Sequence, residues 1–382
     1  DCIDIVFLYE RTYFIKHMGV PTVNVDNNRI LKDKTFDKSR WIQMPRNVVV
    51  GHDALLQIPG IIDDLGVAGP IMLLSGPTTM QTVGARVAEL LVGHSITTCL
   101  VGRITYDEIQ RIEDEAKKTG VVLIIAVGGG RVIDTAKVVS YNLDIQFVSV
   151  PTAASHDGIA SSRASVVTDS GNVSVAAQPP LAIVADTGII ATAPHRLLAA
   201  GCADIIANYT AILDWELSHR LTGETISEYA LTLSKITAEI LVNNTDLVSH
   251  NDETAVWIVV KALFSSGIAM SIAGSSRPAS GGEHKFAHML ERLAPGSALH
   301  GEACGLGTII GMYLHGGDWK GIRTSLKRIG APTTPQDLGI SNEICVEAVL
   351  RACEIRPERF TIFDTGITRE AAVAAVEALY EV

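Results

Sequence analysis

Six short runs in the first half of this chain are apolar almost without interruption: Val48–Val50, Ile71–Leu74, Thr98–Val101, Val121–Val127, Gln146–Val150 and Leu181–Ala185. A strand with one wet face alternates apolar and polar residues, so a continuous run demands apolar cover on both faces. Amphipathic segments of helix length near 53–65, 79–92, 106–118 and 131–141 lie between the runs and supply that cover. The pattern predicts a mostly parallel sheet with helices on both sides. SRASVVTDSGNVSVAAQ departs from it: this segment alternates around a Ser-Gly-Asn turn and predicts a β-hairpin. After Pro194 the strand signal stops, and segments 195–220, 223–246, 251–273, 283–293, 301–315, 319–329 and 341–353 carry helical periodicity. The expected division is an α/β domain over 45–194 followed by an all-α domain over 195–382, with an active site in the cleft between them.

Composition narrows the chemistry. A length of 382 residues, 47% of them hydrophobic, suffices for two packed cores and argues against disorder. No unbroken apolar run reaches the roughly 18 residues of a membrane span, so no membrane insertion is expected. A net charge of −11, with no basic stripe interleaved with aromatics, disfavours nucleic acid. A small anionic substrate is still compatible, since a few local cations can hold one phosphate. The cysteines (Cys2, Cys99, Cys202, Cys304, Cys345, Cys353) have no paired spacing and read as neither a disulfide ladder nor a zinc knuckle. Dispersed thiols point to the cytoplasm. The first 44 residues stand apart as an extension. DCIDIVFLYERTYFIKH has a short apolar stretch broken by charges and no small-residue cleavage site after it, so it does not read as a signal peptide.

The run Val121–Val127 leads directly into Gly128, Gly129 and Gly130, and a helix is expected from Arg131 to Tyr141. Glycines at a strand-to-helix turn let backbone N–H groups approach a diphosphate, which sits at the positive end of the helix. The half is therefore Rossmann-like, although its glycines follow the fourth strand-like run rather than the first. Asp134 and Lys137 are placed to pair or to fix the loop. The turn at Leu74–Thr79 has no carboxylate to grip a ribose hydroxyl, which leaves NADH and NADPH both open. The small hydroxyl-bearing stretch after Val150, from Pro151 to Ser161, suits the lining of a nicotinamide. Within it, Asp157 can accept hydrogen bonds from substrate hydroxyls, and His156 lies close by.

Asp204, His284 and His300, one carboxylate and two imidazoles in helical settings, form a candidate divalent-metal set with a position left open for water or substrate. His288 lies four residues after His284 on the same helical face and competes with it as a ligand, or touches substrate instead. Cys202 and Cys304 are near these positions, so thiolate ligation is weighed against simple burial. Asn208, one turn after Asp204, is a poor ligand, which favours Zn²⁺ over a nitrogen-richer iron site. Glu302 is placed to orient the His300 ring. The remaining histidines, His52, His94, His195, His219, His250 and His315, show no partner pattern and read as surface or cap residues.

The segments MPRNVVVG, VGGGRVIDTAK, SVPTAASHDGIASSRASV, GCADIIANYTAILDW, SGGEHKFAHML and LHGEACGLGT, in this order from about Pro45 onward, resemble the iron-containing alcohol dehydrogenase, glycerol dehydrogenase and dehydroquinate synthase-like superfamily. Within it they are most similar to the archaeal sn-glycerol-1-phosphate dehydrogenases. The resemblance implies a dehydroquinate synthase-like fold and contacts to NAD(P) from Gly130, Arg131, Val132, Ile133, Asp134, Thr152, Ala153, Ala154, Ser155 and Ser161. It further implies Zn²⁺ on Asp204, His284 and His300, with Asp157, Asp204 and His288 at the substrate. The implied reaction is reversible reduction of dihydroxyacetone phosphate to sn-glycerol 1-phosphate, the glycerol backbone of archaeal ether lipids, by a homo-oligomeric enzyme. Arg163, Arg277 and Lys285 are candidates by position for holding the phosphate of that triose. A glycerol dehydrogenase acting on the unphosphorylated compounds, and a dehydroquinate synthase-like lyase, are the alternatives.

Overall fold

The apolar runs become the six strands of one parallel sheet: β1 Asn47–Gly51, β2 Ile71–Ser75, β3 Ile96–Leu100, β4 Leu123–Gly128, β5 Gln146–Pro151 and, after the hairpin, β8 Ala182–Asp186. In a computed structural model of the protein, which describes residues 42–168 and 171–381, these strands lie in the order β1-β8-β5-β4-β2-β3. The N-terminal extension, but for its last three residues, is outside the described residues. Side-chain alternation explains why the runs are unbroken. On β2, Met72 and Leu74 join one core while Ile71 and Leu73 join another, and on β4 Ile124 and Ala126 oppose Leu123, Ile125 and Val127 in the same way. Both faces of these central strands are thus dry, and their positions are apolar but for Ser75, whose hydroxyl donates to the Val127 carbonyl. The predicted hairpin forms as β6 Arg163–Thr168 paired antiparallel with β7 Gly171–Ala176.

From His195 onward the described elements are helical, including His195–Ile206, Asn208–Thr222, Glu253–Ala273, Gly282–Leu293 and His300–Leu314. The larger core runs continuously from Met72 on the sheet through Ala203 and Leu263 to Val376 near the C-terminus, so the helical half packs directly on the α/β half. Residues from Ile42 onward make one compact unit. Two stretches, His195–Thr222 and Glu253–Ala273, have the length and mean hydropathy (1.3 and 1.8) of a membrane span. Neither is an unbroken apolar run: Asp204, Asp214 and Glu216 interrupt the first, and Glu253 and Lys261 the second. With 83% and 50% of their windows buried, they are core helices of this fold.

The strand order reverses between β2 and β4, and the crevice at their carboxyl ends is where open α/β sheets bind ligands. Two loops border it. One follows β2 at Gly76, and the other follows β4 at Gly128, from which Arg131 reaches back toward Gly76. The loop after β5 carries residues 152–161 toward the helical half.

Candidate metal and cofactor site

Helices His195–Ile206 and His300–Leu314 approach unusually closely, because small residues face each other across the contact. A methyl on Gly301 would stand 1.9 Å from the Ala200 carbonyl oxygen, and one on Gly305 would stand 3.0 Å from the Ala203 side chain. Gly201 makes a matching approach to the loop after β5, where a methyl would be 2.1 Å from the Ala154 carbonyl oxygen. These glycines let Asp204 and His300 meet. The next helix, Gly282–Leu293, adds His284. Its N-terminus is held by the buried carboxylate of Asp214, which accepts from Gly282 N at 2.6 Å and also contacts Ile362 N and His315.

Asp204, His284, His300 and Cys304 each present a donor atom within 4.8 Å of the others. The Asp204 Oδ1 is buried without a hydrogen-bond partner and stands 3.8 Å from Nε2 of both His284 and His300. Its other oxygen accepts from the backbone N–H of Asp157 at 2.9 Å. Donors about 2.1 Å from a tetrahedral ion lie about 3.4 Å apart, so this triangle fits a divalent ion with little adjustment. The donor chemistry fits as well. Burial holds His284 and His288 well below the usual imidazole range and lowers His300, so all three are neutral and keep a lone pair at pH 7. Glu283 receives Nδ1 of His284 at 2.9 Å, which leaves Nε2 facing Asp204. A lone buried carboxylate is unfavourable without a cation: burial raises Asp204 to about 7, and burial together with the Asp204 charge raises Asp157 to about 7.

His288 is not in the four-donor group. It lines the adjoining cavity of about 350 Å³, with its ring centroid 5.7 Å from that of His300. Asp157 lines the same cavity and accepts from Ser266 Oγ at 3.0 Å, and Asn208 Nδ2 is 3.4 Å from that hydroxyl. Cys304, one turn after His300, lies 3.6 Å from its Nε2, whereas Cys202 is buried outside the group. Burial, followed by the nearby carboxylates, pushes the Cys304 thiol well above its usual range.

The glycine loop is arranged as a strand–loop–helix, with β4 ending at Gly128 and the helix running Gly130–Leu143. Its glycines have different reasons. A methyl on Gly128 would strike Val132, 2.7 Å away, and one on Gly130 would strike His156 Nε2 at 2.0 Å. Gly129 has no atom within 4 Å of that position, so the space beside it is free for a ligand. Val132 and Ile133 are buried in the core and offer the loop only their backbone. His156 accepts from Gly158 N at 3.0 Å through Nδ1, and burial drives its pKa down to about 4, so its Nε2 carries the proton and faces the loop. Asp134 and Lys137 do pair, at 3.1 Å. Lys137 also donates to the Arg163 carbonyl and approaches Ser161, while Asp134 accepts from Ser165 N, which ties the helix to the hairpin. Thr152 and Ser155 are half-buried, and Ala153 and Ala154 are buried.

Several sequence expectations are corrected. Glu302 does not orient His300: its carboxylate is forked on Arg196 at 2.5 and 2.7 Å and also accepts from Leu299 N. Arg277 and Lys285 do not face the cavity. Arg277 is buried against Glu224 and the Phe360 carbonyl, and Lys285 is buried on Asp364 at 2.7–2.8 Å. His315 is no surface residue, since its side chain is 8% exposed and pairs with Asp214. Glu283, Ser266 and Arg356 were missed. Only Glu283 carried a local signal, its position next to His284.

A sheet of this order, a glycine loop at its switch point and a carboxylate–imidazole donor set are the parts of a nicotinamide oxidoreductase with a candidate metal site. Residues 49–194 match the family model of iron-containing alcohol dehydrogenases. The chain is 73% identical over 355 residues to the glycerol-1-phosphate dehydrogenase [NAD(P)+] of Methanocorpusculum labreanum, covering 93% of this chain and 99% of that protein. It is 62% identical to the protein of the same description from Methanosphaerula palustris, covering 94% and 99%. Among solved structures it resembles glycerol dehydrogenase from Schizosaccharomyces pombe, with a TM-score of 0.74 and 20% identity over 90% of each chain. A probable glycerol dehydrogenase from Sinorhizobium meliloti gives a TM-score of 0.73 at 21% identity, over 89% of this chain and 98% of that one. The structures share the fold. The chain belongs to the glycerol-1-phosphate dehydrogenase family of oxidoreductases.

Proposed function

We propose that this protein interconverts dihydroxyacetone phosphate and sn-glycerol 1-phosphate, using NADH or NADPH and one Zn²⁺ per subunit held by Asp204, His284 and His300. The observation that carries the reading is the unpartnered, buried Oδ1 of Asp204 set between two neutral imidazoles on the wall of a ligand-sized cavity. A divalent ion bound there supplies Lewis acidity toward a carbonyl or alcohol oxygen. The chain's own residues do the rest. Backbone N–H groups at Gly129–Asp134 hold the cofactor diphosphate at the helix N-terminus, with Gly128 letting the strand turn. Thr152, Ala153, Ala154 and Ser155 wall the nicotinamide, and Ser161 braces that wall through Lys137. Asp157, steadied by Ser266, accepts from a substrate hydroxyl. Neutral His288, on the cavity wall, donates to the substrate and passes a proton between it and solvent.

The test is reduction of dihydroxyacetone phosphate followed through oxidation of the nicotinamide, with chiral analysis of the product and metal content measured on the same sample. The expected product is the sn-1 enantiomer. A preference for unphosphorylated dihydroxyacetone, or consumption of substrate without net nicotinamide oxidation, would sink the reading. In the cell we place the reaction in the cytoplasm, where its product feeds ether-lipid assembly. A homo-oligomer is part of the reading, supported by Tyr229, Ile236 and Ile240, which are exposed along one face of the helix Glu228–Asn243.

Three protein ligands leave Cys304 as a packed thiol. The Co²⁺-substituted enzyme is then expected to lack a sulfur-to-metal charge-transfer band, and Cys304→Ala to retain one metal per chain. A near-ultraviolet band that disappears in the variant would instead make the thiolate a fourth ligand.

A further inference from the structure

The cavity beside the donor set carries two cationic side chains that no salt bridge accounts for. Among the described residues lining it, Arg163 and Arg356 are the only Lys or Arg. Of the other buried or half-buried cations near the site, Arg277 is neutralised by Glu224, Lys285 by Asp364 and Lys137 by Asp134, while Arg359 spends its guanidinium on the Ser280 carbonyl and the Ser276 hydroxyl and does not line the cavity. Arg163, the first residue of β6, donates through Nε and Nη2 to Ser174 on the paired strand, at 3.2 and 2.8 Å, and has no carboxylate partner among the described residues. Those two bonds fix the plane of the guanidinium and leave its other N–H groups unused. Among the described residues Arg356 has no side-chain hydrogen bond or ion pair. It follows the buried Ile355 and precedes Pro357, with φ at 46°, a left-handed conformation that a branched-chain or long residue rarely takes. A strained backbone that directs an unpaired guanidinium into a cavity is a feature of binding sites rather than of folds.

The two guanidiniums also sense one another, and each loses proton affinity through burial, Arg356 additionally through the charge on Arg163. Like charges gathered on one partly dry wall are unfavourable until an anion joins them. The cavity also carries small hydroxyl residues, among them Ser165 and Ser174, suited to further acceptor oxygens, along with the carboxylates of Asp134, Asp157 and Glu291. We propose that Arg163 and Arg356 form the subsite for the phosphate group of the substrate, a dianionic phosphomonoester, and so set the preference for a phosphorylated over an unphosphorylated triose. This rests on the function proposed above and assigns the anchor that Arg277 and Lys285 cannot provide. Forked N–H donors match the geometry of phosphate oxygens, and in a partly desolvated wall such charge-assisted bonds discriminate strongly.

The test compares kcat/KM for dihydroxyacetone phosphate and for dihydroxyacetone in the metal-loaded wild type, Arg163→Gln, Arg163→Lys and Arg356→Gly. Glycine suits a φ of 46°, so Arg356→Gly removes the guanidinium while relieving the backbone, and it is expected to fold at least as stably as the wild type. The ratio of the two specificity constants should fall about tenfold to a hundredfold in Arg163→Gln and in Arg356→Gly, the scale of a hydrogen bond to a charged group. Arg163→Lys should recover part of that ratio. An unchanged ratio in Arg356→Gly and Arg163→Gln overturns the assignment. If the wild type itself shows no preference for the phosphorylated ketone, the functional reading fails. Calorimetric titration with inorganic phosphate then decides the subsite: binding to wild type that is lost in both variants upholds it, and equal binding in all overturns it.

Discussion

Asp204→Asn should leave the protein folded, without its metal, and slower in kcat/KM by at least about a thousandfold, since both a ligand and the electrostatic stabilisation it positions are lost. The isosteric amide can still accept the Asp157 N–H through its oxygen, so the loop after β5 keeps its tether. The same change should raise the thermal midpoint of the metal-free protein at neutral pH and above. Burial lifts the Asp204 carboxyl from 3.8 to about 7, so between those values the folded chain binds a proton that the unfolded chain has released. Its contribution to stability is therefore complete below about 4 and is lost as pH rises through about 7. Asp157 slopes the same way. Metal-free wild type should thus lose stability relative to Asp204→Asn from pH 4 to 8, and the stabilisation on adding Zn²⁺ should be larger at pH 8 than at pH 5.5. Thermal melts at several pH values, with and without metal, check this. Full metal content in the purified variant would remove Asp204 from the ligand set.

Gly301→Ala is the second large effect. The added methyl would sit 1.9 Å from a backbone oxygen on the facing helix, where no side-chain rotation relieves the clash. Helix His300–Leu314 must then move away from His195–Ile206, at a cost of about 1–3 kcal/mol or more. The displacement starts one residue from His300, so metal affinity should fall along with the melting temperature. Gly129→Ala is the informative contrast. Gly129 has an ordinary φ of −80° and open space around it, so alanine there should melt like the wild type. Its expected defect is a raised KM for the nicotinamide cofactor, because the methyl enters the space beside the loop. A Gly301→Ala protein with unchanged stability and metal content would show that the helix contact is softer than this packing implies.

The elements were legible in the chain because burial on two faces leaves an unmistakable pattern. All six apolar runs became strands of the parallel sheet within two or three residues, and the alternating segment became the hairpin. The placement of the glycine loop was legible for the same reason, since strand, glycines and helix are contiguous. Less of the site was. Asp204, His284 and His300 were nominated as residue types in helical settings, but their convergence depends on the close approach at Gly201 and Gly301, and nothing local in GCADIIANY or LHGEACGLG specifies the opposing backbone. Glu302 and Glu283 show the difficulty well. Each lies within two residues of a candidate histidine, yet one turns to Arg196 and the other holds His284.

By itself the sequence determined what is set by local periodicity and by residue chemistry: a covered parallel sheet, a helical second half, a glycine turn between β4 and the helix after it, and a store of neutral-capable imidazoles and carboxylates. Tertiary structure decided which atoms meet. It left Asp204 Oδ1 bare between two imidazoles, retired Arg277 and Lys285 into buried ion pairs, and brought Arg356, nearly two hundred positions away, to the wall that Arg163 occupies. The physical reason is that a residue's burial follows from its neighbours along the chain, whereas its partner follows from the packing of elements that the chain brings together only on folding.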